Sequence, residues 1–236
     1  MINWSRKCIF ARVPKTASSS LMHAIYGKME FHKKTGKISG KYKRWAGIKH
    51  PKGWSQIKWI KNPGRFDLNH VPLPFIKESV DSDKYINFYK FGFVRNPWDR
   101  VYAQYRYSFD WMVQDNIYHK IMKWNPPSFE EFCNKLDDPE TIWFTKTKWT
   151  QAFFCQGADF IGRFETLAED YESLISSHKG FKKSAKKMPH VNAHIGLKTP
   201  WWKMYNSTTS KLVEKKYEED IDKFKYLGPF HDSVQE

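Results

Sequence analysis

The chain has 236 residues, a mass of 28.2 kDa and a formal charge of +15, from 40 Lys and Arg against 25 Asp and Glu. That length suits one domain, and 40% apolar residues with 11 Trp, 12 Tyr and 18 Phe exclude a disordered basic tail. No apolar run is long enough to cross a bilayer, and the first residues carry no signal-peptide core. Three scattered cysteines, Cys8, Cys133 and Cys155, fit neither a disulfide framework nor a zinc site, so reduced thiols in a reducing compartment are expected. The pI near 9.6 points to anionic partners: nucleic acid, acidic membrane, acidic polysaccharide or a polyphosphate-like cofactor.

In chain order, Cys8-Ile9-Phe10-Ala11-Arg12-Val13 is a short apolar run ended by Pro14, and reads as a buried strand. Ser18, Ser19 and Ser20 then offer N-caps for a helix carrying Leu21, Met22, Ala24, Ile25 and Tyr26, closed near Gly27. Residues 28–65 change character, with twelve Lys or Arg against the single acid Glu30, a net +11, and Trp45, Trp54 and Trp59 interspersed. A second strand is expected from about Tyr85 to Arg95, where Phe88, Lys90 and Gly92 alternate with Tyr89, Phe91 and Phe93. Pro97 suits a first helical turn, and Val101, Tyr102, Tyr105, Phe109 and Met112 follow at helical spacing. Ser128-Phe129-Glu130-Glu131 is a capping-box pattern opening a short helix. A third strand is expected over Asp159–Phe164, then a helix through Leu167, Tyr171 and Leu174, and one last helix through Leu212, Val213, Tyr217, Ile221 and Phe224. Strands alternating with helices predict an α/β fold, a parallel sheet covered on both faces, in a single domain over 1–236. Such sheets bind ligands at the carboxyl ends of their strands.

Two strand ends carry anion-binding chemistry. In Val13-Pro14-Lys15-Thr16-Ala17-Ser18-Ser19-Ser20, backbone N–H groups and a positive helix end converge while Lys15 adds a full charge. The G-x-x-x-x-G-K-[ST] loop is absent, which argues against an ordinary ATPase; plain capping is the bland reading of the serines. In Phe93-Val94-Arg95-Asn96-Pro97-Trp98-Asp99-Arg100, Arg95 emerges at a strand's carboxyl edge, where it could grip a phosphate bidentately. Asp99 and Arg100 read more simply as a structural ion pair. No His, Cys or carboxylate cluster has metal-ligand spacing.

Together these segments resemble the PAPS-dependent sulfotransferases (PAPS is 3′-phosphoadenosine 5′-phosphosulfate), above all the Golgi carbohydrate sulfotransferases and their soluble bacterial and viral relatives. Arg12-Val13-Pro14-Lys15-Thr16-Ala17-Ser18-Ser19-Ser20 is similar to the 5′-phosphosulfate loop of the heparan sulfate 2-O-sulfotransferases. Phe91–Arg100 resembles the 3′-phosphate motif, and Phe160-Ile161-Gly162-Arg163-Phe164-Glu165 a third family segment. His190-Val191-Asn192, Tyr205 and the Tyr217…Asp220…Phe224-Lys225-Tyr226 tail echo the C-terminal pattern. The resemblance implies a P-loop NTPase-like sulfotransferase fold, PAPS as donor with PAP as product, and no metal. It implies that Pro14, Lys15, Thr16, Ala17, Ser18, Ser19, Ser20, Arg95 and Arg163 hold the cofactor. The family's usual 3′-phosphate serine, eight residues after the motif arginine, is here Ala103, with Gln104 or the Ser184–Lys187 stretch as candidate substitutes.

Sulfuryl transfer to a hydroxyl, or to an amine, is treated as an in-line displacement, so positioning and charge stabilisation dominate. Lys15 would neutralise the leaving phosphate oxygen, and a histidine would take the acceptor proton. His70 lies 25 residues before Arg95, the place of the base histidine in soluble relatives, and His50 is the alternative. The resemblance marks segment 28–65 as acceptor territory, and its charge suggests an anionic carbohydrate; a solvated charged loop is the competing reading. A nucleic-acid-binding module also fits +15 and interleaved aromatics, but no zinc-finger, RNP or zipper signature is present. A PAPS- or PAP-binding domain with little turnover is the third reading. The expected setting is a bacterial or virus-infected cytoplasm, without membrane attachment.

Overall fold

The computed structural model describes residues 2–3, 6–26, 30–31, 38–39, 70–115, 127–138, 149–181, 188 and 199–235. These divide into two compact units, one formed by Met1–Val94 with Phe153–His194, the other by Arg95–Ala152 with Ile195–Glu236.

The first unit is built on a four-stranded sheet of β1 (Ile2–Asn3), β2 (Cys8–Ala11), β5 (Tyr89–Val94) and β6 (Phe160–Arg163), in the order β1-β2-β5-β6. β2 pairs β5 and β5 pairs β6 in parallel, as the alternating pattern predicts, while the short β1 adds an antiparallel edge. Parallel strands are buried on both faces and read as continuous apolar runs, and all four residues of β2 are fully buried. One face of the sheet carries Phe10, Phe91 and Phe93, which pack with Leu21, Met22, Ala24 and Ile25 of α1 (Ser18–Tyr26) and with Tyr171 and Leu174. Phe10 and Phe91 stack with ring centroids 4.7 Å apart. Two glycines admit close packing: a Cβ on Gly92 would lie 2.5 Å from Cys155 Sγ, and one on Gly162 2.4 Å from the Phe93 ring, its register partner. Of the basic segment, only a two-stranded ladder of β3 (Glu30–Phe31) and β4 (Ile38–Ser39) is described.

The second strand starts later than the alternation suggests. Asp81 accepts the Asp83 N–H and opens a helix over Ser82–Asn87, so Tyr85 is helical and the strand begins at Tyr89. In order, the helices of this stretch are α2 (Leu73–Ser79) and α3 (Ser82–Asn87). The first strand also stops short, at Ala11, because the Val13 N–H turns back onto the Ala11 carbonyl at 2.8 Å.

The second unit is helical. α4 (Pro97–Asp115) starts at the proline as expected, and α5 (Phe129–Asn134) carries the anticipated capping box: Ser128 Oγ accepts the Glu131 N–H while Glu131 accepts the Ser128 N–H at 2.7 Å. Trp98, Val101, Tyr102 and Phe109 of α4 bury their helical face against Phe129, Phe132, Cys133, Tyr205, Val213 and Tyr217. α6 (Gln151–Phe154) precedes β6 in the chain, and α7 (Leu167–Ser177) follows β6 in the first unit. The expected last helix is two helices, α8 (Ser207–Lys216) and α9 (Glu218–Phe224), followed by the short α10 (Asp232–Gln235). Between α8 and α9, Tyr217 leaves helical geometry at φ −121°. Tyr217 and Asp220 are nonetheless buried, at 1% and 0% exposed, on the same side as Val213 and Phe224.

Candidate functional site

The turn from β2 into α1 holds the first candidate corner. Pro14 restricts its own φ, and Lys15 (φ 68°) and Ala17 (φ 56°) both adopt the left-handed conformation that L-residues rarely occupy. Such strain survives only where surrounding contacts determine it. Here Thr16, fully buried, donates its hydroxyl to the Val13 carbonyl at 3.0 Å, and the Ala17 carbonyl accepts the first helical bond from Leu21 N–H at 3.1 Å. α1 therefore starts at Ser18, and first-turn N–H groups of a helix have no intrahelical acceptor. Lys15 is partly exposed on this turn.

Arg12 organises the corner, a role the sequence does not disclose. Its Nε donates to Ser18 Oγ at 3.0 Å and its terminal nitrogen to Ser19 Oγ at 3.4 Å. These serine hydroxyls are thus tied back to the strand end as acceptors, beyond simple capping. The Arg12 carbonyl meanwhile accepts a hydrogen bond from His70 Nδ1 at 2.8 Å. A carbonyl can only accept, so Nδ1 carries a proton, and in the neutral form of such a ring the lone pair lies on Nε2. Ser18, Ser19 and His70 are brought to one place by this single residue, on the strand end that leads into the Lys15 turn. His50, His190 and the Ser184–Lys187 stretch lie outside the described residues.

Arg163 ends β6, in register with Val94 at the end of β5. Its backbone N–H donates to Asp170 at 2.7 Å, and Asp170 also accepts the Thr166 hydroxyl.

The second corner follows β5 directly. Asn96 accepts the Trp98 N–H on its side chain and the Arg100 N–H on its carbonyl, starting α4, and donates its amide to the Leu227 carbonyl at 3.0 Å. Arg95 is gripped by Asp99, one turn on, through Nε and a terminal nitrogen, both at 2.7 Å. Asp99 therefore pairs with Arg95, where the sequence suggested Arg100. Arg100 is fully buried, lies 4.7 Å over the Tyr217 ring, and donates to the Trp149 carbonyl. Burial pushes the Asp220 carboxyl above its ordinary range, opposed by the charge of Arg100 and by the N–H groups of Gln151 and Ala152. Ala103 sits partly buried on α4, and Gln104, 3% exposed, donates its amide to Ser108 within the same helix. Among the described residues no group of His, Cys, Asp and Glu could hold a metal ion, and no helix is long and apolar enough to cross a membrane.

The family model of the sulfotransferases matches residues 1–227. No curated protein and no solved structure gives a significant match to the chain. The match spans nearly the whole sequence and includes both strand-end corners, the mostly parallel sheet and helices α8 and α9: the chain belongs to the sulfotransferase family.

Proposed function

We propose that this sulfotransferase moves a sulfonate group from PAPS to a hydroxyl of an anionic carbohydrate, with His70 as the base and Lys15 at the leaving group. PAPS, when bound, supplies an activated sulfonate on a phosphate that leaves as PAP. The chain's own residues fit that donor chemically: a lysine and a helix start at one strand end, and an arginine after the next. Lys15 would meet charge growing on the leaving oxygen, where a preplaced cation acts only as the reaction proceeds. Ser18 and Ser19, whose oxygens accept from Arg12, would have their hydroxyl protons to donate to the sulfonate oxygens.

The observation carrying the proposal is the 2.8 Å bond from His70 Nδ1 to the Arg12 carbonyl. It fixes the tautomer whose Nε2 can accept the acceptor's proton, and does so beside the lysine-bearing turn. Radiolabelled PAPS offered with a panel of polysaccharides, small sugars and phenols tests the activity and the acceptor class. His70→Ala should lower transfer by about 10²–10⁴-fold, the usual worth of a general base, while PAP still binds in calorimetry. Lys15→Ala should likewise lower kcat by orders of magnitude. An active His70→Ala with a dead His50→Ala would reassign the base, and transfer undiminished in Lys15→Ala would remove the lysine from the reaction.

A further inference from the structure

Arg95 stands where β5 ends, so its peptide groups no longer have a strand neighbour. One side chain replaces that neighbour. Gln151 Oε1 accepts the Arg95 N–H at 2.8 Å and Gln151 Nε2 donates to the Arg95 carbonyl at 2.7 Å. A primary amide offers an acceptor and a donor in one plane, so it can bond both peptide groups of a residue as a paired strand would. Gln151 is 0% exposed, 56 residues away in sequence, and is itself held. Its N–H and that of Ala152 donate to the two oxygens of Asp220 at 2.9 and 2.7 Å. The Asp220 carboxylate, 0% exposed, lies in the field of the buried Arg100.

With both peptide groups of Arg95 fixed, the direction of its side chain is fixed at the root, and Asp99 fixes the guanidinium at the tip. The run of hydrogen bonds from Asp220 through Gln151 ends on that one arginine. We infer that Gln151, anchored by Asp220, is a positioning residue that aims Arg95 at the 3′-phosphate of the nucleotide, a task made heavier because Ala103 has no hydroxyl to offer that phosphate. The inference rests on the proposed reading of Arg95 as a cofactor residue.

The test separates the two. The full chain and its variants are titrated by calorimetry with PAP and with adenosine 5′-monophosphate, which lacks the 3′-phosphate. Arg95→Ala should lower PAP affinity by about tenfold or more, as befits charge-assisted hydrogen bonds, with the monophosphate unaffected. Gln151→Met, which keeps the length and removes both bonds, should lower the PAP-to-monophosphate affinity ratio by about threefold or more, a fraction of what the arginine itself supplies. In transfer assays its donor KM should rise while acceptor KM stays. Asp220→Asn should move the ratio the same way. If Arg95→Ala leaves PAP affinity unchanged, the reading of Arg95 fails and this inference with it. If Arg95→Ala loses affinity but Gln151→Met keeps the wild-type ratio, or weakens both ligands equally, the positioning role alone is overturned. Should Gln151→Met not fold, Gln151→Glu, which keeps the acceptor for the Arg95 N–H and loses the donor, takes its place, and an unchanged ratio there is equally fatal.

Discussion

Lys15 and Ala17 share an uncommon backbone conformation for different reasons. At Lys15 the left-handed φ of 68° presents a long cation on a turn, whereas the methyl of Ala17, at 56°, gains nothing evident from it. A left-handed L-residue costs roughly 1–2 kcal/mol relative to its right-handed form, and glycine avoids most of that. Ala17→Gly should therefore stabilise the protein by about 0.5–1 kcal/mol, read as a higher Tm. A fall in Tm would mean that the methyl packs to advantage. Sequence made this turn legible, because Pro14, Lys15 and three serines after an apolar run announce a strand, a turn and a helix start. It did not make Arg12 legible as an organiser: the His70 ring that its carbonyl binds is 58 residues away. Gln151 was invisible for the same reason, and Asp99 declared itself an ion-pair partner of the adjacent Arg100, whereas it holds Arg95 one turn back.

Among the elements, α5 was read at its first residue, since the Ser128 and Glu131 spacing is a local code written in four positions. The Ser128 backbone N–H, and then its hydroxyl, hold the Glu131 carboxyl below its ordinary value of 4.5. A carboxylate depressed in the folded state adds stability that is present above its unfolded pKa and lost as pH falls through its folded pKa. Glu131→Ala should thus melt below the wild type at neutral pH, with the gap closing on acidification below the ordinary value. A gap independent of pH would show that Glu131 acts through packing. Other elements were misread where tertiary demands overrode the local pattern. Phe88, Lys90 and Gly92 alternate with Tyr89, Phe91 and Phe93 as if in one strand from Tyr85, yet Asp81 caps a helix over Ser82–Asn87, and both Tyr85 and Phe88 find burial outside the sheet. The apolar spacing through Tyr217 and Ile221 is helical throughout, so nothing in the pattern marks the residue, Tyr217, at which the helix divides.

At the scale of the whole molecule, +15 is far more charge than two strand-end corners need. Net +11 of it lies in residues 28–65, and the acceptor proposal gives that charge a use. Exposed charges are screened beyond about 8 Å at physiological ionic strength, so acceptor KM should rise steeply with salt while PAP affinity weakens less. Neutralising Lys33, Lys34, Lys37, Lys41, Lys43 and Arg44 together should raise acceptor KM with little effect on PAP. A neutral sugar or a phenol as best acceptor, with a salt-insensitive KM, would leave the segment a matter of solubility. The three thiols have a different bearing. Cys8 and Cys155 are 0% and 1% exposed within the sheet unit, Cys155 lying where Gly92 leaves room, and Cys133 is 0% exposed in the helical unit, its thiol pushed up to about 12 by burial. A thiol reagent finds no accessible sulfur until a unit opens, and then finds two in the sheet unit or one in the helical unit. The chain thereby carries its own pair of unfolding clocks, one per unit, with no label to be engineered in.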